Sequence, residues 1–151
     1  MTWLLWLAVA FLYASLAEYY LHRYVMHRRI RGLDGWFVEH HIEHHGHRRM
    51  DINVDLGFPL TFVLASPLLL LGYWWLGWPW IIAVAVSSFA YAKTWTCLHR
   101  CHHNLGCPWL KSVPGYAIWR EHHEAHHQHF GRNFGTVFIW TDRLFGSRMR
   151  A

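Results

Sequence analysis

The segment His40-His41-Ile42-Glu43-His44-His45 holds four histidines in six residues, and it returns near the C-terminus as His122-His123-Glu124-Ala125-His126-His127. Neutral imidazole is the commonest metal ligand. On a helix of about 3.6 residues per turn, positions i, i+3 and i+4 share a face. His41, His44 and His45 have that spacing, as do His123, His126 and His127, so the three rings of each box are expected to converge on one point. Two pairs accompany the boxes: His22 and His27, five residues apart, and His99 and His103, four apart. Any fold for this chain has to bring four separated clusters together.

The remainder of the chain is apolar in long runs. Of 151 residues, 54% are hydrophobic and only 15% are Asp, Glu, Lys or Arg, alongside 15 histidines and 11 tryptophans. That is an integral-membrane composition with a histidine-rich polar remainder, and the length suits one domain, residues 1–151. The formal charge is +5. The basic residues flank apolar spans, which fits orientation in a membrane and not nucleic-acid binding.

Residues 3–20 approach the roughly 20 apolar residues that cross a bilayer. Ser15-Leu16-Ala17 resembles a signal-peptide cleavage site, but no basic residue precedes the run and two tryptophans open it like interface anchors. The reading is a helix over 2–29 that leaves the lipid before His22 and His27. A loop at 32–35, a polar helix over 36–50 with the first box and a short link at 51–55 follow, with Asp51, Asn53 and Asp55 read as helix caps. Residues 56–76 and 80–96 form an apolar hairpin around a breaker-rich turn at 72–79. Its second helix runs into His99 and His103. A helix over 116–130 carries the second box, 131–135 is a loop, and 137–145 is a short amphipathic segment at the membrane interface.

This predicts an all-α integral membrane protein with about three transmembrane helices and a helical cap that carries the boxes. All 14 Lys and Arg lie on or next to the segments assigned to one side, which the positive-inside rule makes cytosolic, with the N-terminus opposite. The four clusters fall on that same side.

Ten well-spaced histidines result: His22, His27, His41, His44, His45, His99, His103, His123, His126 and His127. One ion takes four to six ligands, so ten suit two ions with open positions for chemistry. His40, His47, His102, His122 and His129 are left to surround the site or lie on the surface, and whether His40 and His122 replace His41 and His123 stays open. Glu43 and Glu124, inside the boxes, are read as orienting partners for ligating imidazoles; Glu18, Glu39 and Glu121 lie nearby. Cys97, Cys101 and Cys107 are odd in number, which argues against a disulfide framework, and are read as small buried thiols.

At this point the four boxes resemble the fatty acid hydroxylase/sterol desaturase superfamily. The closing Asn133-Phe134-Gly135 and Trp140-x-Asp142-x-Leu144-Phe145-Gly146 resemble that superfamily's C-terminal segment. Small carotenoid hydroxylases share similar boxes and are the competing resemblance. The resemblance implies a di-iron enzyme whose ligands are the ten histidines, with zinc able to occupy the same nitrogens. It would use O2 and two electrons to hydroxylate or desaturate an unactivated C–H bond of a lipid drawn from the bilayer. Electrons would come from a separate ferredoxin- or cytochrome-like donor, to which Arg28, Arg29, Arg31, Arg48 and Arg49 offer a basic face. Readings from another class are a histidine-rich transporter or a haem protein. Ligands at the ends of spans and not at the midplane count against the first, and ten clustered histidines exceed the axial pair a haem needs.

Overall fold

A computed structural model describes residues 2–28, 36–47 and 57–149; the side chains at 2, 36–40, 47 and 57–64 are outside that description. The loop at 32–35, the caps at Asp51, Asn53 and Asp55, the side chains of His40, His47 and Glu39, and Arg29, Arg31, Arg48 and Arg49 therefore lie outside the described residues. Among the described residues all regular structure is helical. In order these are α1 (Thr2–Tyr20), a π-helical segment (Leu21–Met26), α2 (Trp36–His47), α3 (Gly57–Leu76), α4 (Trp78–His102), a 3-10 turn (Pro108–Ser112), α5 (Tyr116–Gln128) and α6 (Trp140–Leu144).

Two stretches, Trp3–Met26 and Trp78–His102, are long and apolar enough to cross a membrane. The third expected span is α3, of which the described apolar part is Ala65–Leu76. α1, α3 and α4 pack together around Ala10, Ala65, Trp80 and Val84. Small residues line this packing: Ala10, Ala14 and Ser15 on α1 and Ala83, Ser87 and Ser88 on α4 are all buried. Without side-chain bulk the backbones approach closely, which is how helices associate where lipid removes the hydrophobic drive. The Ser87 hydroxyl accordingly reaches the Leu7 carbonyl of α1. A second cluster, built on Ala14, Tyr91, Leu98, Cys101, Leu110, Tyr116 and Val137, ties these helices to the cap. The three cysteines are free thiols, and only Cys101 is fully buried.

The hairpin turn is tighter than the breaker-rich sequence at 72–79 suggests. α3 continues through Trp74 and Trp75 to Leu76, and Gly77 alone turns the chain, at φ +68°, where a Cβ would be strained. Trp74 and Trp75 are exposed at this tip, 85% and 88%, as aromatic residues are at a membrane–water boundary. Gly72 has a packing role and not a turning one. A Cβ there would sit 2.0 Å from Nε1 of Trp80, whose indole N–H donates to the Leu68 carbonyl at 2.9 Å. Gly72→Ala is therefore expected to destabilise the hairpin by about 1–3 kcal/mol through overpacking, read as a lower thermal midpoint in detergent.

Candidate metal centre

His22 and His27 sit where α1 changes character. In an α-helix residues five apart point about 140° away from each other. The expected continuous α-helix over 2–29 would thus separate them. Instead Leu21–Met26 is π-helical, and its i→i+5 hydrogen bonding stacks residue i+5 above residue i. The two imidazole centroids lie 5.1 Å apart. The i+4 spacing of His99 and His103 needs no such device at the end of α4, and their centroids also lie 5.1 Å apart.

The ten histidines come together as two groups of five. The first is His22, His27, His41, His45 and His126; the second is His44, His99, His103, His123 and His127, with one ligand atom from each residue within 4.8 Å of the others in its group. Each box is split. His41 and His45 serve the first group while His44 serves the second; His123 and His127 serve the second while His126 serves the first. The expected convergence of three rings fails for a geometric reason. Positions i and i+4 are only about 40° apart around a helix, but adjacent residues are about 100° apart, so His44 and His45 must diverge. His45 and His127 sit at the seam between the groups, with ring centroids 4.4 Å apart. His123 is in the second group, whereas His122 turns away to Asp142, which settles the placement of these two neighbours.

The nitrogens suit a cation. In the first group the Nε2 atoms of His27, His41, His45 and His126 form a closed ring with sides of 3.0, 3.0, 3.0 and 3.2 Å. In the second, His123 Nε2 lies 2.9 Å from His103 and 3.1 Å from His127. Nitrogens held about 2.0–2.1 Å from a shared ion at right angles are about 3 Å apart. Two rings of the first group also have fixed tautomers. His22 Nδ1 and His126 Nδ1 face the carbonyls of Phe134 and Arg132, at 2.5 and 2.7 Å. A carbonyl only accepts, so both Nδ1 atoms carry the proton and both Nε2 atoms present lone pairs. His22 Nε2 is buried with no partner among the described residues. Converging lone pairs in a buried space fit a metal ion better than they fit one another.

Burial keeps His27, His41, His123 and His126 neutral, as ligation requires. It is the largest cause in each case, reinforced at His41 and His123 by neighbouring imidazoles, which hold both well below the ordinary range. Burial lowers His27 to about 4. It also lowers His126, to about 3, against the opposing bond to Arg132.

Of the two acids expected to orient imidazoles, Glu43 is exposed; the carbonyls of Phe134 and Arg132 take the protons of His22 and His126. No sequence pattern marks a carbonyl for that role. Glu18 is partly buried, accepting the Tyr91 hydroxyl and the Thr136 amide. His102 is buried too, packed 4.9 Å from the His123 ring, and belongs to neither group. The short segment 137–145 buries one side, with Thr141 and Asp142 both 0% exposed, while Leu144 on its other side is 62% exposed. A lone acid within Val137-Phe138-Ile139-Trp140-Thr141-Asp142-Arg143-Leu144-Phe145 was the available signal, because a buried charge must be partnered.

Apolar helices that end in two five-histidine groups define a helical membrane protein with a histidine-lined centre able to hold two ions. The chain belongs to the fatty acid hydroxylase family, whose model matches residues 7–147. It is also 27% identical over 138 residues to methylsterol monooxygenase 1 of Rattus norvegicus, covering 86% of this chain. The chain spans 42% of that relative's length. No solved structure matches it.

Proposed function

We propose that this protein is a di-iron membrane oxygenase that hydroxylates or desaturates an unactivated C–H bond of a lipid, a fatty acyl chain or a sterol. The observation that carries the reading is the division of ten imidazoles into two groups of five, each able to hold one ion with a position left open. Family membership and the similarity to a sterol monooxygenase support the lipid class and the oxidoreductase chemistry. Iron, when bound, supplies the O2-derived oxidising power that no side chain has. In hydroxylation, O2, two electrons and two protons convert R–H into R–OH and water; in desaturation the same inputs remove two hydrogens and yield two waters.

The chain's own residues hold, orient and shield. His22, His27, His41, His45 and His126 would bind one iron, and His44, His99, His103, His123 and His127 the other. The carbonyls of Phe134 and Arg132 fix two of the rings. Phe130 stacks against His27 and packs 4.8 Å from His45, covering one flank of the first group with an apolar ring. Trp95, on the spanning helix α4, packs 4.6 Å from His99, so a lipid tail moving along α4 would meet the second group first. In this proposal the histidines face the cytosol, the N-terminus lies opposite, and a separate ferredoxin- or cytochrome-like protein delivers the electrons.

The test is metal content and lipid turnover of detergent-purified protein from iron-supplemented cells, with His41→Ala and His123→Ala alongside. About two irons per chain are expected, reduced in both variants, with O2-dependent oxidation of a fatty acyl or sterol substrate by the parent alone. A haem absorbance, or no bound metal, would sink the reading.

A further inference from the structure

Asp142 is 0% exposed, and four donors converge on its carboxylate. Its carboxylate accepts from His122 Nε2 at 2.9 Å, Ser147 Oγ at 2.7 Å, and the amides of Phe134 and Gly135, both at 2.8 Å. Because a carboxylate only accepts, the order of donors upstream follows: Arg23 donates to Tyr19, Tyr19 to Ser147, and Ser147 to Asp142. Burial opposes the charge, but these bonds outweigh it and hold the carboxyl below its ordinary value. The chain at 134–135 is pressed close against it. A Cβ on Gly135 would meet the Phe138 carbonyl at 2.5 Å, Thr141 Oγ1 at 2.8 Å and Asp142 Oδ2 at 3.1 Å.

Asp142 holds the amides of Phe134 and Gly135, and the carbonyls of Phe134 and, two residues earlier, Arg132 receive the His22 and His126 protons. Both of those rings belong to the first group. In each group a further ring nitrogen, His45 Nδ1 in the first and His99 Nδ1 in the second, is buried with no partner among the described residues. Both bonds to this 132–135 strap therefore fall on the first group, on two of its five rings.

On the dimetal reading above, we infer that Asp142 is a positioning residue for the first centre alone, acting through the strap carbonyls on His22 and His126, so that the two metal sites differ in how their affinity is sustained. Partners of this kind, one step removed from the ion, typically sustain metal affinity about 10–100-fold. A clasp that merely held the C-terminal segment would support both centres equally.

Cobalt(II) titration of the full chain in detergent, followed by equilibrium dialysis and visible absorption, separates these cases. The parent is expected to bind two ions. Asp142→Asn is expected to keep one at parental affinity and weaken the other about 10–100-fold. Adding His27→Ala should then remove only the weakened ion, and adding His103→Ala only the tight one. Should Asp142→Asn fail to fold, Ser147→Ala keeps the carboxylate and removes one of its donors; a smaller weakening of the same single ion is expected. Equal weakening of both ions, or of neither, in the folded variant overturns the inference. Fewer than two cobalt ions on the parent chain would overturn the dimetal reading itself, and this inference with it.

Discussion

Replacing His126 with alanine is expected to leave the chain with one metal ion and, on the proposed function, to abolish lipid oxidation. His126 is 0% exposed, and its Nε2 closes the first group, 3.0 Å from His45 and 3.2 Å from His27. Its other nitrogen is committed to the Arg132 carbonyl, so the ring cannot rotate away from that task. Losing a direct ligand should weaken the first centre by more than the roughly 10–100-fold typical of losing an orienting partner. The neighbouring residue gives the complement. His127→Ala removes a member of the second group, so it should also end turnover while sparing the first ion. His129→Ala, an exposed change outside both groups, serves as the control and should bind two ions. Metal analysis of the three variants decides the matter; two full-affinity ions on His126→Ala would show that the first group is not a metal site.

The second large effect is expected at Glu18. This partly buried side chain joins α1 to α4 through the buried Tyr91 and to the strap through the buried Thr136 amide, which it accepts at 2.8 Å. It also lies one helical turn before His22, on the same face of the helix. Leucine at 18 would strand the Tyr91 hydroxyl and the Thr136 N–H among Phe11, Val137 and Phe138. Two unsatisfied buried groups cost about 2–6 kcal/mol together. A chain of this length should then lose roughly 5–20 °C in thermal midpoint. Glu18→Gln keeps an acceptor for Thr136 and should lose far less. Tyr91→Phe removes one stranded group, so Glu18→Leu/Tyr91→Phe should recover part of the loss, as coupled neighbours do. Thermal melts of the four proteins in one detergent test this; equal losses for leucine and glutamine would refute the hydrogen-bond account.

These two sites also show what was legible in advance. The ten histidines could be picked out by spacing, since the helix repeat is a property of the backbone and needs no knowledge of neighbours. The helices over 36–47 and 116–128 and the apolar hairpin were visible for the same reason. Glu18 could be listed as near the boxes but not given a role, because its partners are 73 and 118 residues away. The segment 137–145 could be read as amphipathic, but its role as a clasp could not, because the partners of Asp142 lie at 122, 134, 135 and 147. The π-helical segment left no pattern of its own; only the five-residue separation of His22 and His27 hinted at it.

The sequence by itself determined the class of molecule: long apolar helices, histidines at their ends, and enough imidazoles for two ions. Those follow from local rules of helix period and hydropathy, which act within about 20 residues of chain. Tertiary structure decided which histidine joins which centre. Adjacent ligands on α2 and α5 diverge by about 100°, and only the packing of α1, α2, α4 and α5 fixes which neighbour each ring meets. It also decided the orientation of His22 and His126, because that is set by carbonyls every residue possesses. A backbone oxygen becomes specific through its position alone, and the position of this strap is held by Asp142 and Glu18.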